Sequence, residues 1–307
     1  MRAVVALGGN AFAPAGTAPA AEGQARFARE ALARLGPLLA PDAELLVTHG
    51  NGPQVGRLLE RVALPLDVCV AQTQGELGYL LAQALGELLE LGGAGREVVS
   101  VMTRVEVDPG DAAFASPSKP VGPWLEPAEA EALRRRGAAV GQEAGRGWRR
   151  LVPSPEPRRV VEAGVVRLLL DAGAAVVAAG GGGVPVVRGA PGGLRGIEAV
   201  VDKDLTSALL ADAVGADLLA IVTDVPCAYT DFRSARQRPV RRAAASRARA
   251  LLREGHFAPG SMGPKMQACA RFASRPGRRA LVCDAPGLAA ALAGEGGTTV
   301  VPDEEGP

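Results

Sequence analysis

Three lysines stand apart in a chain of 307 residues that otherwise carries its positive charge on 31 arginines. They are Lys119 in SPSKPVGP, Lys203 in VDKDL and Lys265 in SMGPKM. Each sits beside Pro, Gly or Asp, and none lies on an ordinary charged helix face. A coding bias towards Arg accounts for the surface, but not for the places where Lys persists. An ammonium is a compact point charge, and the planar guanidinium fork does not replace it in a tight phosphate site. All three lysines are therefore read as active-site residues. Three glycine-rich stretches complete the chemistry: Gly8, Gly9 and Asn10; Gly50, Asn51 and Gly52; and the run 180–183. Backbone without Cβ atoms can bring several N–H groups against an anion, as phosphate-cradling loops do. A flexible linker is the bland alternative, but Val-rich strand-like runs flank the last stretch.

The elements that must position these groups follow an alternating rhythm. Residues 3–7, 44–48, 97–107, 174–179, 217–223, 279–283 and 298–301 read as short apolar strands. Helical periodicity runs through 20–39, 72–91, 159–172, 244–254 and 264–273, and Pro53 suits the first turn of a further helix. Residues 50–52 then sit at a helix N-terminus, and His49 takes a supporting part at the strand end. The 72–91 helix is apolar enough to serve either as core or as a subunit interface. Between 108 and 157 the texture changes, with eight of the 24 prolines and both tryptophans. That stretch is an inserted excursion holding Lys119. Strands alternating with helices predict an α/β fold with a mainly parallel sheet and helices on both faces. Ligands of such sheets bind at the carboxyl ends of the strands, where the three glycine loops fall.

Composition narrows the function class. The length favours two lobes. A net charge of +1 argues against a polyanionic or membrane partner, and ten aromatics are few for a base-stacking platform. Cys69, Cys227, Cys269 and Cys283 show no ligand-like spacing and read as buried reduced thiols. No secretory h-region or membrane span is legible, so the expected compartment is the cytoplasm. The chain has no G-x-x-x-x-G-K-[ST], and no G-x-G-x-x-G at a suitable strand-to-helix turn, which weakens P-loop and dinucleotide readings.

The stretches ALGGNAF, HGNGPQVG, FASPSKPVGP, GWRRLVPSPEP, AGGGGVPVV, GIEAVVDKDL, TDV and GHFAPGSMGPK occur in one order along the chain. In this the sequence resembles, from end to end, the carbamate kinases of the amino-acid kinase superfamily. SKPVGP and GWRR…PSPEP separate that group from acetylglutamate, glutamate and uridylate relatives. The resemblance implies a three-layer α/β sandwich with a small protruding subdomain, and a homodimer. It implies an acceptor lobe over 1–208, with the excursion about 108–157 inserted, and a nucleotide lobe over 209–307. The implied reaction is reversible phosphoryl transfer between ATP and carbamate, giving ADP and carbamoyl phosphate. Lys203 and Lys265 would contact the transferring phosphoryl, Lys119 would reach it from the excursion, and Asp204 would orient lysines. Gly8, Gly9, Asn10, Gly50, Asn51 and Gly52 would line the acceptor and phosphoryl site, with Gly181 and Gly182 nearby. Asp224, Tyr229, Met262 and Gly263 would hold the nucleotide, although TDVPCAYTDFRSARQRPV departs from the family's usual sequence after TDV.

This chemistry suits what the chain lacks. Carbamate is already an oxyanion and needs no general base, so neither of the two His need be catalytic. Alignment and charge neutralisation by three lysines, backbone N–H groups and Mg²⁺ carried on ATP meet the remaining need. No acidic cluster resembles an all-protein Mg²⁺ cage. Two alternatives stay open: an acylphosphate-forming kinase for a larger carboxylate, and a non-catalytic nucleotide sensor of the same fold. Lys119→Arg, Lys203→Arg and Lys265→Arg should each lower single-turnover kcat by roughly 10²–10³, Lys203 most and Lys119 least, with stability barely changed. Near-normal rates would reduce the scarcity of Lys to coding bias.

Overall fold

The computed structural model describes residues 1–8, 21–61, 64–143 and 147–303. Gly9 and Asn10 lie outside the described residues. An eight-stranded sheet forms the middle layer, in the order 242–244, 298–301, 279–284, 218–223, 2–7, 44–49, 175–177, 98–100. Neighbouring strands are parallel throughout, except for the antiparallel pair Arg279–Asp284 and Thr298–Val301. Strand Arg2–Leu7 shows how the layers form. Ala3, Val5 and Leu7 face one way, towards Leu77, Leu81 and Leu85 of the helix Leu66–Leu91. Val4 and Ala6 face the other way, into a cluster with Leu210, Met266 and Phe272. A strand buried on both sides is apolar at every position, which is why 3–7 reads as a continuous run.

Several expected elements change on folding. The expected strand 97–107 is two strands, Val98–Ser100 in the main sheet and Arg104–Val107 in a separate four-stranded sheet. Gln74 makes the break possible: its amide accepts from the Thr103 N–H (2.8 Å) and donates to the Thr103 carbonyl (3.0 Å). A buried side-chain amide thus stands in for a ladder partner at the Thr103 N–H, while the Thr103 carbonyl also accepts from the Val184 N–H at 2.9 Å. The expected helix 72–91 begins earlier, at Leu66, after Pro65 at its N-cap. Helical structure over 20–39 divides into Ala21–Ala33 and a 3₁₀ turn, Gly36–Leu39, because Gly36 takes a positive φ ahead of Pro37.

The excursion folds as a three-stranded antiparallel sheet of Lys119–Leu125, Val140–Glu143 and Gly147–Val152, with the helix Pro127–Arg135. Val121 and Val152 anchor it to Val55 and Leu66 in a small apolar cluster. This seats Lys119 at the end of the sheet that carries the glycine loops. The remaining stretch of the excursion returns through the strand Pro157–Val160 to the four-stranded sheet.

The run 180–183 follows strand Ala175–Val177 as a tight 3₁₀ turn. A side chain at Gly181 (φ 65°) would run into Asn51, and one at Gly182 (φ 88°) into the Val201 carbonyl oxygen. Close approach of three segments therefore demands these glycines, beyond any role towards an anion. Gly182→Ala should destabilise by at least about 3 kcal/mol, from left-handed strain plus overpacking against backbone. Gly75→Ala, at an exposed helical position with nothing within 4 Å of the new Cβ, should instead gain about 0.5–1 kcal/mol. Chemical denaturation of the two variants checks both signs.

Candidate active site

Three helix N-termini meet at the carboxyl ends of the central strands. The helix Gly52–Arg61 starts just after strand Glu44–His49, the helix Lys203–Val214 brings Lys203 and Asp204, and Met262–Phe272 brings Lys265 in its first turns. Helix N-termini and ammoniums both raise the local positive potential, so the convergence suits an anion. Asp202 caps the second helix: its Oδ1 accepts from the backbone N–H of Asp204 (2.9 Å) and Leu205 (3.4 Å). The helix is held to the glycine turn by Thr206, whose hydroxyl donates to the Gly182 carbonyl at 2.9 Å.

Asp204 is the centre of the arrangement. Its Oδ1 lies 3.0 Å from the Lys203 ammonium and its Oδ2 accepts from Lys265 Nζ at 2.7 Å. The carboxylate is only 5% exposed. Burial works to raise its pKa, but the charges of Lys203 and Lys265 outweigh burial and hold it at about 2. Burial also works against the Lys265 charge, and Asp204 more than offsets it, so that pKa stands above the ordinary lysine value. Lys203 goes the other way. Its burial lowers the pKa, with Asp204 opposing and the neighbouring Lys265 assisting. Across the cleft, Lys119 Nζ donates to Asp202 Oδ2 at 2.9 Å.

These groups line a cavity of about 410 Å³, together with Gly8, Gly50, Asn51, Gly52, Gly181 and Asp224. Asn51 is fixed by donating its amide to the Thr73 hydroxyl at 2.8 Å. A second cavity of about 360 Å³ continues from the first through the shared residues Thr223, Asp224 and Ser261. Tyr229, Phe232, Arg233, His256, Phe257 and Met262 line it. Of the expected site residues, Gly182 and Gly263 line neither cavity: Gly182 abuts the Val201 carbonyl, and Gly263 is buried with its N–H bonded to the Ala258 carbonyl (2.9 Å). Asp202, Ser261 and Phe232 line the cleft without having been singled out. For Asp202 a signal existed, since an Asp directly before a helical stretch is an N-cap pattern.

The amino acid kinase family pattern matches residues 1–284. A carbamate kinase of Trichomonas vaginalis is 42% identical over 99% of this chain and 100% of its own length. One from Pyrococcus horikoshii is 40% identical, covering 98% of this chain and 99% of its own. The chain belongs to the amino acid kinase family, in its carbamate kinase branch. The branch is one of phosphotransferases, and its fold is the α/β arrangement described above. A solved Giardia lamblia carbamate kinase bound to AMP-PNP superposes with a TM-score of 0.88 at 35% identity, over 98% of each chain. A solved structure from Aeropyrum pernix gives 0.90 at 43% identity, over 98% of this chain and 100% of that one.

Burial changes one expectation. Lys203 is 11% exposed rather than open to solvent. Lys203→Arg must therefore fit a larger group into a closed space and should cost stability as well as rate. His49 is buried beneath the same cleft, with Nδ1 3.1 Å from the Gly50 carbonyl. Burial pushes its imidazole down to about 4, the Gly50 contact opposing and the Lys203 charge assisting. An unfolded imidazole charges near pH 6.5, so unfolding takes up a proton between about pH 6.5 and 4, and stability falls as pH drops through that window. Between pH 7 and 5 this group alone should remove roughly 2 kcal/mol. His49→Asn should flatten that loss in denaturant titrations at the two pH values, whereas the stability tied to Asp204 is lost only as pH falls below about 4.

Proposed function

We propose that the chain catalyses reversible phosphoryl transfer between ATP and carbamate, giving ADP and carbamoyl phosphate. The observation that carries this reading is the convergence of three ammoniums on one cavity, two of them held by the single carboxylate of Asp204. The reacting groups are anions that repel one another, and fixed positive charge answers that repulsion. Lys203 and Lys265 would bear on the transferring phosphoryl, with Lys119 closing from the protruding subdomain. Gly8, Gly50, Asn51, Gly52 and Gly181 would supply backbone and amide groups around acceptor and phosphoryl.

Acceptor size follows from what the cavity presents. Its lining contains no arginine among the described residues, so it offers no guanidinium to seize a second carboxylate on glutamate, aspartate or acetylglutamate. Carbamate needs none. The neighbouring cavity, with Tyr229, Phe232 and Met262, suits the adenine and ribose, while Asp224 stands between the two spaces. The division at 208/209 falls inside the helix Lys203–Val214, so that helix would join acceptor and nucleotide lobes. Both Asp204 oxygens face ammoniums, and those of Asp202 are taken by the helix cap and Lys119. This donor set suits Mg²⁺ arriving on the nucleotide phosphates, whose charge it neutralises when bound. Homodimer formation is supported by Val68 and Tyr79, which lie on one side of the helix Leu66–Leu91 and are 37% and 62% exposed. No described helix is long and apolar enough to cross a membrane.

A coupled assay for ATP formation from ADP and carbamoyl phosphate, with Mg²⁺ supplied, tests the reading directly. Turnover with carbamate and none with the larger acids is expected. The single-turnover rate should be nearly flat from about pH 6 to 8, because Asp204 at about 2 and His49 at about 4 keep one charge state there. Lys203, whose pKa burial lowers, should bring any fall-off from the alkaline side. A His-like step inside the window would reveal a proton transfer that this mechanism lacks.

A further inference from the structure

A carboxylate in a cleft built for anions is an electrostatic cost, and Asp202 is one. Capping the helix does not explain it. The cap uses Oδ1 alone, and Asn or Ser would cap as well without a charge. What the carboxylate adds is Oδ2, which takes the ammonium of Lys119 at 2.9 Å.

That contact is one of several ties between the protruding subdomain and the segment leading into the Lys203–Val214 helix, where Val200 also packs beside Val121 and Val152. Glu198 Oε2 lies 3.6 Å from Arg150 Nη2, and the Val200 N–H donates to the Pro153 carbonyl at 3.0 Å. Glu198 is itself held, accepting from the Leu66 N–H at 2.8 Å. Residues 198–202 thus form a strap, anchored at one end on the helix Leu66–Leu91 and at the other on the helix that bears Lys203 and Asp204. The subdomain lies along it. Asp202 is the point where the strap meets both Lys119 and the catalytic helix.

We propose that Asp202 is the positioning residue for Lys119, setting its ammonium in register with those of Lys203 and Lys265. An ammonium has three N–H donors. With one directed to Asp202 Oδ2, two remain for phosphoryl oxygens, and the direction of those two is fixed by the first. Because the same carboxylate caps the helix, the three ammoniums share one reference point. Lys119 does not touch Asp204, so without Asp202 nothing among its described contacts ties its charge to the other two. This inference rests on the phosphoryl-transfer reading above, and its test includes an arm that needs no activity.

Asp202→Asn keeps the cap and removes the charge, whereas Asp202→Ala removes both. Without nucleotide, the acetylation rate of each lysine is followed by mass spectrometry. Asp202→Asn should raise labelling of Lys119 roughly three- to tenfold, with Lys203 and Lys265, which feel Asp202 only through space, changing less and Tm near that of the parent. Asp202→Ala should raise it similarly but also lower Tm. In the coupled assay, Asp202→Asn should lower kcat about 10- to 100-fold while the KM values move less than about threefold. Combined with Lys119→Ala, it should cost little more than Lys119→Ala alone, since both remove one function. Unchanged Lys119 labelling in Asp202→Asn would overturn the proposal even if the chain proves to have another activity. So would losses that multiply in the double variant. A parent without carbamate kinase activity that still shows the labelling change would instead sink the proposed reaction and leave the strap standing.

Discussion

The cleft depends on one buried carboxylate held between two ammoniums. Asp204 would be costly alone at 5% exposure, and Lys203 and Lys265 would repel each other without it. Together they carry a net positive charge that can be kept out of water and aimed at an anion. Such an arrangement tolerates little displacement, because losing Asp204 would leave two uncompensated ammoniums in a medium that screens poorly. Its position is set by two helices whose first turns meet at the carboxyl ends of the central strands. Those helices are fixed by the Asp202 cap, the Thr206 bond to the glycine turn and the apolar cluster beneath them.

Around this centre the surfaces divide by chemistry. Towards strand Glu44–His49 the cleft offers glycines, an amide and a helix N-terminus, with little side-chain bulk. Towards the Asp224 side it widens into a space with aromatic and apolar walls. A small oxyanion and a purine nucleotide need these two environments, joined where the phosphates would lie. Nothing in the proposed reaction requires a proton to move in its chemical step, and the buried His49, kept neutral, fits a structural part rather than an acid–base one.

The glycine turn shows why a motif's cause is not always its apparent one. Naked backbone beside a lysine suggested an anion cradle, and Gly181 does line the cavity. Gly182, however, lies against the Val201 carbonyl, and the turn is packed among His49, Asn51 and Val201. The run lets the strand, the helix cap and the loop at Asn51 approach closely, and the cleft exists because they do.

Local chemistry was legible from the chain alone. The three lysines, the glycine loops, the alternation of apolar strands and helices, and the strand ends as the place where these groups meet all depend on residue type and short-range spacing. Side-chain period and turn chemistry encode these directly. Other features were decided by packing between distant segments. Whether 97–107 is one strand or two depends on a glutamine amide from a helix, which no periodicity announces. That Lys203 and Lys265 share Asp204, while Lys119 goes to Asp202, depends on sheet order and on how two helices dock. Burial of Lys203, and with it the opposite shifts of two similar lysines, arises only when the layers close. Charge interactions act through space and local dielectric, so chain spacing names the groups and tertiary structure assigns the pairs.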